Sequence, residues 1–212
     1  MSNSTIPTSS MELGRKELEK SPIYDKIPEV RKEYFIKESL RIGKEEAAKF
    51  QAEEKDIFQL FDEHKIELEK RKSTKESKGF TLRGEINYYK NNCKIIVYEE
   101  SIDAIYQSGI GAMKQFSITK KQTLAMHLCH EFFHYLEFSS GKTVSEKLGK
   151  IRVPYFFNVT RLVDVIECSE IAAHSFAKQF CQLEVLPNYY DLYYLNQKRN
   201  NENKNEFLGG NN

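Results

Sequence analysis

Residues 120 to 137 read KKQTLAMHLCHEFFHYLE, a run without glycine or proline in which Leu124, Leu128, Phe132, Phe133, Tyr135 and Leu136 surround most of a helical cylinder. A helix apolar on nearly every side belongs inside a domain, so this segment predicts a buried helix around which the rest of the chain must be built. Buried with it are His127, His130, Glu131 and His134. Positions i and i+4 share a helix face, so His130 and His134 can aim ring nitrogens at one point, with His127 on the same stripe.

His130-Glu131-Phe132-Phe133-His134 is an HExxH pattern, the arrangement used by zinc peptidases. Zinc accepts imidazole nitrogen at roughly 2.0–2.1 Å, and a catalytic zinc keeps one position open for water. Glu131 lies about 100° round the helix from His130, where it reaches that water rather than the ion. The plain alternative is two ordinary histidines on a packed helix. For His127, packing or surface exposure is the simpler reading.

A third ligand has to come from another segment. The run from Arg161 to Gln182 predicts a second helix, because Leu162, Val165, Ile166, Ile171, Ala173, Phe176, Ala177 and Phe180 follow a helical period better than alternation. Glu167, Glu170 and His174 fall at i, i+3 and i+7, giving one face two carboxylates and an imidazole. A solvated acidic face is the simpler account of such a stripe.

The segment from Gln115 through HEFFHYLEF, followed by Glu170-Ile171-Ala172-Ala173-His174-Ser175-Phe176-Ala177, resembles the ImmA/IrrE family of zinc metallopeptidases. The resemblance runs from about Phe80 to Leu186, with its specific motifs in the two helical segments. It implies an α+β, zincin-like metallopeptidase with a small antiparallel sheet, an HExxH active-site helix, a second ligand-bearing helix and, in this chain, an added N-terminal helical region. Carried over by residue, it makes His130, His134 and Glu170 the ligands of Zn2+ and Glu131 the catalytic base, with Glu167 a rival third ligand. It also implies a protein substrate, with DNA-binding repressors the typical target. Phe133 stands where the family commonly has glycine, and His174 where asparagine or aspartate is usual. His174 or Tyr155 would supply an oxyanion donor; alternatively, His174 orients a ligand.

Upstream, residues 80–89 and 93–99 are rich in β-branched and aromatic residues around Lys90-Asn91-Asn92, which predicts a hairpin beside the active-site helix. Such a sheet would offer an edge to an extended peptide. Residues 100–117 and 139–160 read as long loops with short helical pieces. Residues 21–78 form a helical region, with Phe50, Ile57, Phe58, Phe61 and His64 at helical spacings, closed by a polar linker over 72–79. The metallopeptidase domain is then 79–195. Residues 1–20 and the Asn-rich 196–212 are poor in core formers and predict disordered tails.

The remaining features narrow the function class. A net charge of +1, with both signs dispersed over 212 residues, gives no reason to expect direct nucleic-acid binding. No apolar run approaches membrane-spanning length, and MSNSTIPTSS lacks a basic start followed by an apolar core. Cys93, Cys129, Cys168 and Cys181 form no CxxC pair and read as reduced, packed thiols of a cytoplasmic protein. The expectation is a cytoplasmic zinc metalloendopeptidase acting on a protein or peptide substrate, with no membrane partner. A zincin-fold binding module without turnover is the alternative.

Overall fold

The computed structural model describes residues 6–72, 83–89, 92–157 and 159–209. The chain is α+β, as its sequence predicts. Helix α1 spans Ser10–Leu18, α2 Glu29–Gln51 and α3 Ile57–Glu63; strands β1 (Ile66–Arg71), β2 (Gly84–Tyr89) and β3 (Asn92–Tyr98) follow. Then come α4 (Glu99–Gln107), α5 (Lys120–Ser140), α6 (Val144–Leu148), β4 (Ile151–Phe156), β5 (Val159–Val163), α7 (Glu167–Phe180) and α8 (Asn188–Gly209).

Helix α5 is the central element. A capping box between Thr119 and Gln122 starts it, and Gly141 ends it in the left-handed conformation, with φ 70°. One side of α5 meets the sheet through β2 and β3, and another meets α7. Helix α2 runs along α7, and α1 packs on both. Phe132 occupies the middle of this assembly. Its ring lies 5.5 Å from Phe50, 6.0 Å from Phe61, 5.3 Å from His64 and 6.1 Å from Phe176. The helical stripe predicted over Phe50 to His64 is therefore spent on the core around α5 itself. His64 is half-buried there, its Nδ1 3.3 Å from the Tyr135 hydroxyl.

The sheet differs from the small antiparallel one expected. Its order is β1-β3-β2; β2 pairs antiparallel with β3, but β1 pairs parallel with it. Strand β1 comes from the segment read as helix and linker. Its sequence IELEKR alternates, putting Ile66 inside and the charged residues outward, where Glu67 and Glu69 meet Lys94 at 2.8 and 3.1 Å. The rest of the linker, the turn residues 90–91 and positions 80–82 lie outside the described residues.

Both segments read as disordered tails carry helix. Residues 1–5 and 210–212 lie outside the described residues. Helix α1 forms within 1–20 because Leu13 and Leu18 are buried and Ser9 caps its start. Helix α8 runs on through 196–209 from a first turn anchored by buried Tyr189 and Tyr190, and extending an existing helix is cheap per residue even for a polar sequence. The short helical pieces expected within 100–117 and 139–160 are α4 and α6, and the second segment also holds β4, which was not expected.

The predicted second helix is shorter than 161–182. Residues Val159–Val163 form β5, the partner of β4, and helix starts only at Glu167. The β4–β5 hairpin exposes Tyr155, Phe156, Phe157, Val159 and Leu162. Among the described residues, no helix is long and apolar enough to cross a membrane.

Helix α2 approaches α7 closely at Gly43. At Gly43 a Cβ would collide with the Ala172 carbonyl oxygen and crowd the Phe176 nitrogen at 2.9 Å, so only glycine lets these backbones approach. In an exposed helix, glycine to alanine would stabilise by about 1 kcal/mol. Here Gly43→Ala is expected to destabilise by about 3 kcal/mol, through forced separation of α2 from α7. Urea denaturation of the two proteins measures this.

Candidate metal centre

The site forms where α5 and α7 run antiparallel. His134 Nε2 lies 3.2 Å from His130 Nε2, Glu170 Oε2 lies 3.2 Å from His130 Nε2, and Glu170 Oε1 lies 3.4 Å from His134 Nε2. These three residues, each half-buried, form a group that could hold a metal ion. They are the ligand set read from the sequence. Glu167 is not part of it. It is buried one turn earlier on α7, with Oε2 lacking a hydrogen-bond partner.

The charges at the site call for a cation. Burial works against a charged His134, but the hydrogen bonds its ring donates to the Glu137 and Glu170 carboxylates outweigh burial and raise its imidazole to about 10. Burial likewise opposes a charged Glu170, yet His130 and His134 hold its carboxyl well below the usual range. Without a metal, a proton on His134 supplies the positive charge; a divalent ion between the three residues would take that proton's place.

Glu131 points elsewhere on α5, as its position in the turn requires. It abuts Gly84, the first residue of the edge strand β2. A Cβ there would sit 3.2 Å from Glu131 Oε1, so the glycine leaves the carboxylate its room. Burial raises the Glu131 carboxyl, partly offset by His130 and His134.

Two carboxylates that the sequence did not single out support the histidines. Glu137, buried in the apolar run, takes His134 Nδ1–H at 3.0 Å with Oε2; its Oε1 accepts from Val144 N at 2.6 Å and Ser169 Oγ at 2.7 Å. This fixes the His134 tautomer and leaves Nε2 for the cluster. Its spacing was the available signal: a glutamate three residues after His134 lies on the same helix face. Glu17 of α1 is buried, 3.6 Å from His174 Nε2 and 2.7 Å from Lys20 Nζ. His174 in turn lies 4.7 Å, ring to ring, from His130. No reading of residues 1–20 as a tail could have found it.

The other sequence-nominated residues are not members of the ligand group. His127 is packed, donating from Nδ1 to the Thr123 carbonyl at 2.6 Å, and burial pulls its imidazole down to about 4. Tyr155 is exposed on the hairpin, with the Arg161 guanidinium 5.1 Å from its ring centre. Phe133 turns into the core, its ring 5.6 Å from that of Phe176 and 6.3 Å from that of His134.

Comparison of the chain with known protein families, characterised proteins and solved structures finds no match. The likeness to the ImmA/IrrE family therefore stands on the two helical motifs alone.

Replacing Glu137 with glutamine should weaken metal binding about 10–100-fold by releasing the His134 orientation. Competition titration against a chromogenic chelator reads this directly. For Glu17, burial alone would raise the carboxyl, but His174 and Lys20 outweigh it and hold it at about 2. A depressed carboxyl stabilises the fold above its unfolded value near 4.5, and that contribution fades as pH falls toward 2. Glu17→Gln should thus lower the denaturation midpoint clearly at pH 6–7, with the gap to wild type narrowing below pH 4.5.

Proposed function

We propose that this chain is a zinc-dependent metalloendopeptidase of the HExxH-plus-Glu type, hydrolysing peptide bonds in a protein substrate. The carrying observation is the imidazole–imidazole–carboxylate triangle, with edges of 3.2, 3.2 and 3.4 Å. Bonds of roughly 2.0–2.1 Å to a tetrahedral zinc require ligand separations of about 3.3 Å, so the donor set fits that ion. Two imidazoles and one carboxylate also leave a fourth position for water. The likeness to the ImmA/IrrE family suggests a DNA-binding repressor as the substrate class. Four free cysteines accord with a cytoplasmic setting.

Zinc held by His130, His134 and Glu170 would supply Lewis acidity, bringing the pKa of water from about 16 toward about 7. The chain's own residues supply the rest. Glu131 accepts the proton of the attacking water and returns it to the leaving amine, and burial, which raises its carboxyl, favours holding that proton between the two steps. Glu137 holds His134 in one tautomer throughout. The edge of β2 beside Glu131 offers backbone hydrogen bonds to an extended peptide, which would bring a carbonyl to the site without demanding a particular side chain.

A second reading, a zincin-fold binding or regulatory module without turnover, is favoured by one observation. Of the two residues the sequence offers as oxyanion donors, His174 is buried and engaged by Glu17, and Tyr155 sits exposed on the hairpin. Metal content and trapping separate the two readings. Wild type and Glu131→Gln should each carry one zinc by mass spectrometry and His130→Ala none. Glu131→Gln should retain a protein from host lysate that His130→Ala does not, and wild type should cleave that protein at least about 100-fold faster than Glu131→Gln. Equal cleavage rates would refute the base assignment, failure to take up zinc would refute the metal, and zinc with no cleavage would establish the second reading.

A further inference from the structure

Apart from the His130–His134–Glu170 group, α5 and the end of α7 bring two thiols together. Cys129, buried and next in sequence to His130, lies with its Sγ 3.5 Å from the Sγ of Cys181, the half-buried residue that caps the C-terminus of α7. Both are free thiols. A disulfide needs its sulfurs at about 2.05 Å, so bonding requires a closure of about 1.5 Å between two side chains already facing each other. Cys93 and Cys168 are buried elsewhere, on β3 and in the first turn of α7.

We infer that Cys129 and Cys181 are a redox-active dithiol, oxidised by a hydroperoxide to a disulfide that staples the two ligand-bearing helices together. The half-buried Cys181 is the sulfur a small oxidant reaches first. Hydrogen peroxide converts its thiol to a sulfenic acid, releasing one water. The Cys129 sulfur then attacks Cys181 Sγ; the S–S bond forms, the sulfenic oxygen leaves, and it departs with the Cys129 proton as a second water. Two thiols lose two electrons and the peroxide gains them. A reducing thiol pool reverses the step, in keeping with the transient, sensing disulfides of reducing compartments.

The position of the bond gives it a consequence. From one end of the helix pair to the other, Glu137 meets Ser169, His134 meets Glu170, His130 meets His174 and Cys129 meets Cys181. A covalent link at the last of these contacts fixes the register in which the histidines face Glu170.

Peptide mapping of the full, folded chain under non-reducing conditions tests this after treatment with hydrogen peroxide. The expected product is a single intramolecular Cys129–Cys181 link, removed by dithiothreitol, that raises Tm by roughly 5–10 °C. Cys181→Ser replaces a half-buried side chain and should fold, form no link and show no peroxide-induced rise in Tm; Cys93→Ser should behave as wild type. If both thiols stay free in the folded wild-type chain, or if the link appears only after denaturation, the dithiol is not a native redox site. A different cysteine pairing would equally overturn it. None of these outcomes depends on the metal or on peptide hydrolysis.

Discussion

The antiparallel packing of α5 against α7 is the contact on which the rest of this structure depends. It is mostly apolar, with Phe132 and Phe133 set against Phe176, yet a line of polar groups runs through it. A buried polar group is costly unless partnered, and here Glu137 does much of the partnering. It ties His134 to the first residue of α6 and to Ser169 of α7, so one carboxylate orients a histidine and joins three helices. A shift of α5 along α7 by one turn would cost that carboxylate its hydrogen bond from Ser169. The geometry of the histidines is thereby coupled to the stability of the core.

Around this pair the remaining elements set position. Helix α2 comes close to α7 because Gly43 has no side chain, and α1 closes over both, bringing Glu17 to His174. On the opposite side of α5, Gly84 at the start of β2 gives Glu131 its space. Two glycines and two buried glutamates, all distant in sequence from one another, thus shape a site whose named motif spans five residues.

The helix carrying HExxH was legible because its apolar residues surround the cylinder over a run without glycine or proline. The Glu170 helix was legible in its second half but overextended, since Leu162, Val165 and Ile166 fit a helical period while the chain uses 159–163 to pair with β4. Strand β1 was missed because its charged residues outnumber its apolar ones, and alternation over six residues competes poorly with a long amphipathic helical stretch next to it. Helices α1 and α8 were missed for a related reason. Neither has enough apolar surface to announce itself, and both are held by neighbours.

By itself, the sequence determined which residues could share a helix face: His130 with His134, Glu170 with His174, and Glu131 turned aside. These are consequences of a 3.6-residue period and need no partner. Only the tertiary structure decided that Glu170 rather than Glu167 faces the histidines, that Phe133 enters the core, that Glu137 and Glu17 back the imidazoles, and that Cys129 meets Cys181. Each of those depends on how α5, α7 and α1 are rotated and shifted against one another. That is fixed by burial and by close backbone approach summed over the whole core, which no local spacing encodes.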